Sequence, residues 1–171
     1  MNIVLIGYSG TGKRCVGRLL AERLGRRFVD TNQVLEQEGN DRLARLVQVK
    51  GQDYVDDLEE RVVQALSSQD GLVIATGSRT LLRGKNLENL RKNGVLICLT
   101  AEPGIILLRT CSPVGQKAIL LKSKEAIQVI REVMKQRGCF YGQTDYTIDT
   151  SALSPEEVAE EVIRFLAKKS E

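Results

Sequence analysis

A three-layer α/β/α fold on a five-stranded parallel sheet is predicted by three observations along the 171 residues. Short apolar runs bounded by glycine or polar residues recur, apolar positions at helical spacing fill the stretches between them, and the runs are too uniformly apolar to face water on one side. Strands buried on both faces pair in parallel, and parallel pairing needs the crossovers that intervening helices supply.

The predicted strands are "NIVLI" (2–6), "RFVD" (27–30), "GLVIATG" (71–77), "GVLICLT" (94–100) and "DYTID" (145–149). Helical spacing runs through Val16, Leu19, Leu20 and Leu24; through Val55, Leu58, Val62 and Leu66; through Ile127, Ile130 and Met134; and through Val158, Val162, Phe165 and Leu166. Gly25 and Gly138 stand where C-terminal caps are expected, and Ser154, Pro155 and Glu157 open the last helix with a capping box.

Composition narrows the class. With 42% hydrophobic and 27% charged residues the chain reads as one soluble domain with a substantial core. The net charge is only +3 and basic residues alternate with acidic ones, so no nucleic-acid partner is expected; Arg23, Arg26 and Arg27 form the one basic cluster worth naming. Histidine is absent, which excludes histidine metal sites, Ser/His hydrolysis and an imidazole base. Cys15, Cys98, Cys111 and Cys139 show no CxxC pair or zinc spacing, and reduced thiols in the cytoplasm are the simplest account. "MNIVLIG" lacks a basic leader and reads as the first strand, and no apolar stretch approaches the ~18 residues of a membrane span, so no membrane association is expected.

The chemistry concentrates in "GYSGTGKRCVG" (7–17), close to the phosphate-binding pattern GxxxxGK[ST] and in the strand–loop–helix context that pattern requires. Gly7, Gly10 and Gly12 let successive N–H groups, with Thr11 among them, point into one concavity at a helix start, where phosphate oxygens sit and Lys13 meets them. Arg14 takes the place of the hydroxyl residue that ordinarily ligates Mg²⁺; a guanidinium has no lone pair for a metal and repels it, and Cys15 is a soft ligand one residue further on. Arg14 either neutralises phosphate directly, favouring a nucleotide held with little metal help, or swings outward to solvent.

The order of these features resembles the shikimate kinase family, small P-loop kinases of the nucleoside-monophosphate kinase group. "GTGKRCVGRLLAERLGRRFVDTN" is similar to that family's phosphate loop, helix and acidic motif, "DDLEERVVQAL" to its substrate-domain helix, and "ATGSR" to its glycine-triplet strand end. "RTCSPVGQKAILL" is similar to its lid, "MKQRGCFY" to its late arginine helix, and "IDTSALSPEEV" to its adenine-contacting loop. The resemblance implies a single P-loop kinase domain over 1–171, with a core of about 2–30, 70–110 and 144–169, a substrate-binding region of about 31–66 and a lid of about 111–122. It implies ATP or ADP as the nucleotide and ATP-dependent phosphorylation of the shikimate 3-hydroxyl as the family reaction. The nucleotide falls to Gly7, Gly10, Thr11, Gly12, Lys13, Arg14, Cys15, Arg109 and Pro155, with Asp149 and Thr150 beside the base. Lys13, Asp30, Asn32 and Lys117 are the catalytic candidates, and Asp30 is the metal candidate. The acceptor falls to Asn32, Asp56, Gly77, Ser78, Arg79 and Arg137.

Against the family pattern the chemistry is altered while the framework is kept. The acidic DxD motif reads Asp30, Thr31, Asn32, and an amide cannot take a proton. Asp56 stands for the arginine of FRxxE, with Glu59 retained; the glycine triplet reads Gly77, Ser78, Arg79; and the lid arginine is replaced by Lys117. A like charge about 4 Å from an acid costs ~4 kcal/mol at an effective dielectric of 20, as much as a millimolar ligand's whole binding energy. Asp56 is alternatively one more exposed acid in the run Asp53, Asp56, Asp57, Glu59, Glu60. The expectation is a nucleotide-binding member in which shikimate phosphorylation is very weak, lost or redirected to another hydroxy-acid or an amino-bearing acceptor, and Mg²⁺ dependence is weakened or lost. An active small-molecule kinase is the alternative, and a partner protein that completes the site is left open.

Overall fold

The computed structural model describes residues 1–110 and 116–169, with the side chains of 116–123 excluded. The chain runs β1 (Asn2–Ile6), α1 (Lys13–Arg23), β2 (Arg27–Asp30), α2 (Thr31–Gly39), α3 (Leu43–Lys50), α4 (Gln52–Ser67), β3 (Leu72–Ala75), a 3₁₀ turn (Thr80–Leu82), α5 (Gly84–Lys92), β4 (Gly94–Thr100), α6 (Pro103–Thr110), α7 (Gln116–Tyr141), β5 (Tyr146–Asp149) and α8 (Pro155–Lys169). The five strands form one sheet in the order β2-β3-β1-β4-β5, all parallel, as the apolar runs predict.

Side-chain alternation along the central strands builds two apolar layers. Val4 and Ile6 of β1, with Leu96 of β4, meet Leu58, Val62 and Leu66 of α4 and Leu87 and Leu90 of α5 on one face. Ile3 and Leu5, with Ile97 and Leu99, meet Val16 and Leu20 of α1 and Val158 and Val162 of α8 on the other. Each such side chain is fully or almost fully buried, which contributes ~1.5–3 kcal/mol apiece over exposure.

Helix ends follow the sequence in two cases and depart from it in a third. Gly25 adopts φ 61 just beyond α1, and Ser154 and Glu157 exchange reciprocal hydrogen bonds at the start of α8. Gly138 is not a cap: α7 continues to Tyr141, and Gly142 N–H donates to the Gly138 carbonyl at 2.9 Å. Phe140 and Tyr141 pack against the sheet core, and that burial outweighs the ~1 kcal/mol a helix-interior glycine costs. Helices α2, α3, α5 and α6 carry too few periodic apolar positions to stand out in the sequence, and tertiary packing and the Asp30 cap supply what propensity does not.

The basic cluster is internally engaged: Arg23 pairs with Glu160 at 3.6 Å, Arg26 donates to the Met1 carbonyl and Arg27 to Gln69. Cys15, Cys98 and Cys139 are free thiols. No described helix is long and apolar enough to cross a membrane.

Candidate functional site

The C-terminal ends of β1, β2 and β3 converge on a cavity of about 410 Å³ lined by the loop after β1, the start of α1, Asp30, Asn32, Thr76, Ser78 and Arg109. Parallel pairing brings these ends together, because every strand delivers its following loop to the same edge. Gly7 has φ 143, and a Cβ there would lie 2.2 Å from the Leu99 carbonyl oxygen, so only glycine lets the loop start this close to β4. Gly10, Gly12, Lys13, Arg14, Cys15 and Arg109 line the cavity, whereas Gly7 and the fully buried Thr11 lie outside its lining, as does Pro155 in the first turn of α8.

Lys13 is folded onto its own loop, its Nζ donating to the carbonyls of Gly7 at 2.8 Å and Tyr8 at 2.7 Å. Burial lowers its pKa to about 8, with the Asp30 carboxylate working against that shift. The ammonium is therefore still protonated at neutral pH.

Arg14 does not swing outward. Its Nε donates to Asp30 Oδ2 at 2.6 Å, joining a side chain 58% exposed to one only 5% exposed. The other Asp30 oxygen accepts from Asn32 N–H at 2.9 Å and caps α2. Both oxygens of the metal candidate thus carry donors, one of them a full cation. Mg²⁺ demands oxygen ligands in near-octahedral array at about 2.0–2.1 Å, and among the described residues the one carboxylate lining this cavity has a guanidinium bonded to it.

At the end of α6, Arg109 holds the loop after β5. Its Nη2 donates to the Thr150 carbonyl at 2.6 Å and its Nη1 to the Thr150 hydroxyl at 2.9 Å, while that hydroxyl lies 3.1 Å from the Thr11 carbonyl and 3.0 Å from the Thr100 carbonyl. Asp149 accepts from the Ser151 N–H and hydroxyl, the larger reasons its pKa is lowered.

A second, smaller cavity of about 100 Å³ adjoins the first, bounded by Leu35, Leu43, Val47, Val55 and a polar set: Gln52, Asp56, Glu59, Arg79 and the two residues shared by both cavities, Asn32 and Ser78. Asp56 faces this cavity and is 22% exposed; its neighbour Asp57, 69% exposed, pairs outward with Arg83. One turn of helix lets Gln52 donate to Asp56 at 2.6 Å, while Arg83 Nε stands 3.9 Å from its other oxygen. Buried Glu59 accepts from the Thr80 hydroxyl at 2.6 Å; burial raises its pKa, and that hydrogen bond opposes the rise. A Cβ at Gly77 would come 2.7 Å from Asn32 Oδ1, which keeps this position open while Ser78 and Arg79 add side chains. Arg137, on α7, donates from Nη1 to the Ser78 carbonyl at 2.8 Å and lies over the Tyr8 ring at 5.4 Å. The Lys117 side chain and residues 111–115 of the lid expected at about 111–122 lie outside the described residues, and the backbone from Gln116 on belongs to α7.

Several supports escaped sequence reasoning. Thr31 accepts from Gly77 N–H at 2.9 Å, Thr80 tethers Glu59, and Arg83 and Gln52 dress Asp56. Only the Gln52–Asp56 pair had a readable signal, its i,i+4 spacing on a helix.

The profile of the shikimate kinase family matches residues 9–167. This chain belongs to that family. It is 41% identical to a shikimate kinase of Caldanaerobacter subterraneus subsp. tengcongensis over 167 residues, covering 98% of this chain and 96% of the relative. It is 36% identical to one of Thermodesulfovibrio yellowstonii over 163 residues, covering 95% and 93%. Among solved structures, the shikimate kinase of Acinetobacter baumannii in complex with shikimate superposes with a TM-score of 0.87 at 29% identity, covering 98% of this chain and 93% of that one. The described residues thus keep the fold of the shikimate kinases, and the altered residues sit inside it: Arg14 on Asp30 in one cavity, Asp56 and the Ser78–Arg79 pair in the other.

Proposed function

We propose that this chain is a nucleotide-holding member of the shikimate kinase family in which phosphorylation of shikimate is very weak, lost or redirected. The observation that carries this reading is the 2.6 Å bond from Arg14 to Asp30, a guanidinium seated on the carboxylate that the family resemblance gives to the metal. ATP, when bound, supplies the phosphoryl group. Lys13 then turns from its loop carbonyls to the phosphates, Arg14 contributes positive charge from the wall, and Arg109 flanks the base. Phosphoryl transfer passes through a loose transition state and depends chiefly on positioning and charge, so Asn32 in place of an acid weakens the reaction without ending it.

The acceptor cavity argues for a changed partner. Asp56 replaces the arginine that grips a carboxylate and is only partly offset by Arg83, so an acid should bind poorly and an amino-bearing or uncharged hydroxyl compound better. Free thiols at Cys15, Cys98 and Cys139 agree with a cytoplasmic location.

ATP turnover measured with and without shikimate, in the native chain and in the triple variant Arg14→Ser, Asn32→Asp, Asp56→Arg, tests the reading. Turnover near background in the native chain that rises with shikimate only in the variant supports it. Robust shikimate-dependent turnover by the native chain overturns it and makes this an ordinary kinase.

A further inference from the structure

We propose that Ser78 is an internal phosphoryl acceptor: the chain transfers the γ-phosphoryl of bound ATP to its own Ser78 hydroxyl. The inference rests on the nucleotide-holding role above and goes beyond it, to a modification site.

Placement is the first support. Among the described residues, Ser78 and Asn32 alone belong to the linings of both cavities, so Ser78 stands at the passage an external hydroxyl would have to reach to meet a phosphoryl group. The half-buried Ser78 puts a hydroxyl at a position the family resemblance gives to glycine.

Elimination is the second. Among the described residues, four with hydroxyls line the larger cavity: Ser9, Thr76, Ser78 and Thr110. Thr76 donates to the Leu5 carbonyl at 3.1 Å and Thr110 to the Ile106 carbonyl at 2.8 Å, so both protons are committed. Ser9 is exposed on the loop itself, away from the smaller cavity. Among the described residues, Ser78 is the remaining hydroxyl at the place where an acceptor belongs.

Charge is the third. Arg137 holds the Ser78 carbonyl at 2.8 Å, and Arg79 is the next residue. A phosphoserine at 78 would therefore carry its dianion on the residue that the Arg137 guanidinium already holds, and a guanidinium beside a phosphate makes a charge-assisted pair.

The step balances without a further reactant. Ser78 Oγ forms a bond to the γ-phosphorus as the bond from that phosphorus to the bridging oxygen breaks, ADP leaves with the electron pair, and the hydroxyl proton passes to an oxygen of the transferred group and then to water. No strong base is needed for a slow single turnover, because a tethered nucleophile reacts at an effective concentration that can reach about 10⁵ M or more.

The test incubates the full chain with γ-labelled ATP, with and without Mg²⁺. It follows intact mass, maps the labelled peptide and measures ATP binding on the same sample by calorimetry. One phosphoryl group per chain on Ser78, gained at a rate independent of protein concentration and absent from Ser78→Ala, is the expected result. Lys13→Ala, checked for folding by circular dichroism, should stay unlabelled; label on it would betray a contaminating kinase and overturn the inference. ATP bound but no label, or label on Ser9 or elsewhere, overturns the inference and leaves the nucleotide-holding role standing. Absence of ATP binding overturns both.

Discussion

Replacing Arg14 by serine should convert nucleotide binding from indifference to Mg²⁺ into dependence on it. The guanidinium sits in the cavity wall with its Nε 2.6 Å from Asp30, so a phosphate entering the cavity on its free side meets a cation already in place. A hydrogen bond to a charged group contributes ~1.5–3 kcal/mol net, or roughly 10- to 150-fold in affinity. The unscreened figure of ~4 kcal/mol for charges 4 Å apart at an effective dielectric of 20 is an upper bound here, because the Arg14 side chain is 58% exposed and solvent weakens it. Calorimetric titration with ADP, in EDTA and in excess Mg²⁺, reads the effect. The native chain should bind ADP about equally in both. Arg14→Ser should lose roughly one to two decades in EDTA and regain most of it with Mg²⁺, since the new hydroxyl and the released Asp30 oxygen both ligate the ion. Native binding that collapses in EDTA, or a variant indifferent to EDTA, would show that Arg14 does not stand in for the metal.

Three further outcomes follow from the same geometry. Because burial holds Lys13 at a pKa of about 8 and a polyphosphate favours its charged form, nucleotide binding should take up a proton above pH 8 and little near pH 6. Affinity should then fall by up to about tenfold per pH unit beyond 8, which calorimetry in buffers of different ionisation enthalpy detects. Glu59 has its pKa raised by burial, so its ionised form destabilises the fold at neutral pH and its contribution improves as pH falls toward the carboxylate range. Glu59→Gln, which keeps an acceptor for Thr80, should raise the Tm at pH 7, with a gain that shrinks in thermal scans toward pH 4. Ile97→Ala, at a fully buried position of β4, should cost ~2–5 kcal/mol, read as a shift in denaturant midpoint at constant slope.

The five strands could be read from the sequence because burial on both faces leaves an uninterrupted apolar run, a purely local signal. β3 ends at Ala75, short of the predicted Gly77, where the chain turns toward the site. Helices α2 and α3 were invisible for the converse reason: each contributes a single buried apolar residue, Leu35 or Leu46, and no period can be seen in one point. Lys13, Asp30, Asn32 and Asp56, which line the two cavities, could be singled out in the sequence because the phosphate-loop motif or the family pattern locates them. The bond between Arg14 and Asp30 could not, since it joins the start of α1 to the end of β2 and depends on how that helix seats against the sheet. The same holds for Arg137, whose grip on the Ser78 carbonyl spans 59 residues and requires α7 to lie across the end of β3.

Thr150 has a consequence of its own. Its single hydroxyl proton lies within reach of two carbonyls, but that of Thr100 already receives the Thr150 backbone N–H at 2.8 Å, so the proton is at liberty to serve Thr11. The underside of the glycine loop after β1 is thereby moored, through one hydroxyl, to the turn that follows the far edge strand, so the seating of β5 and α8 bears directly on where those glycines lie.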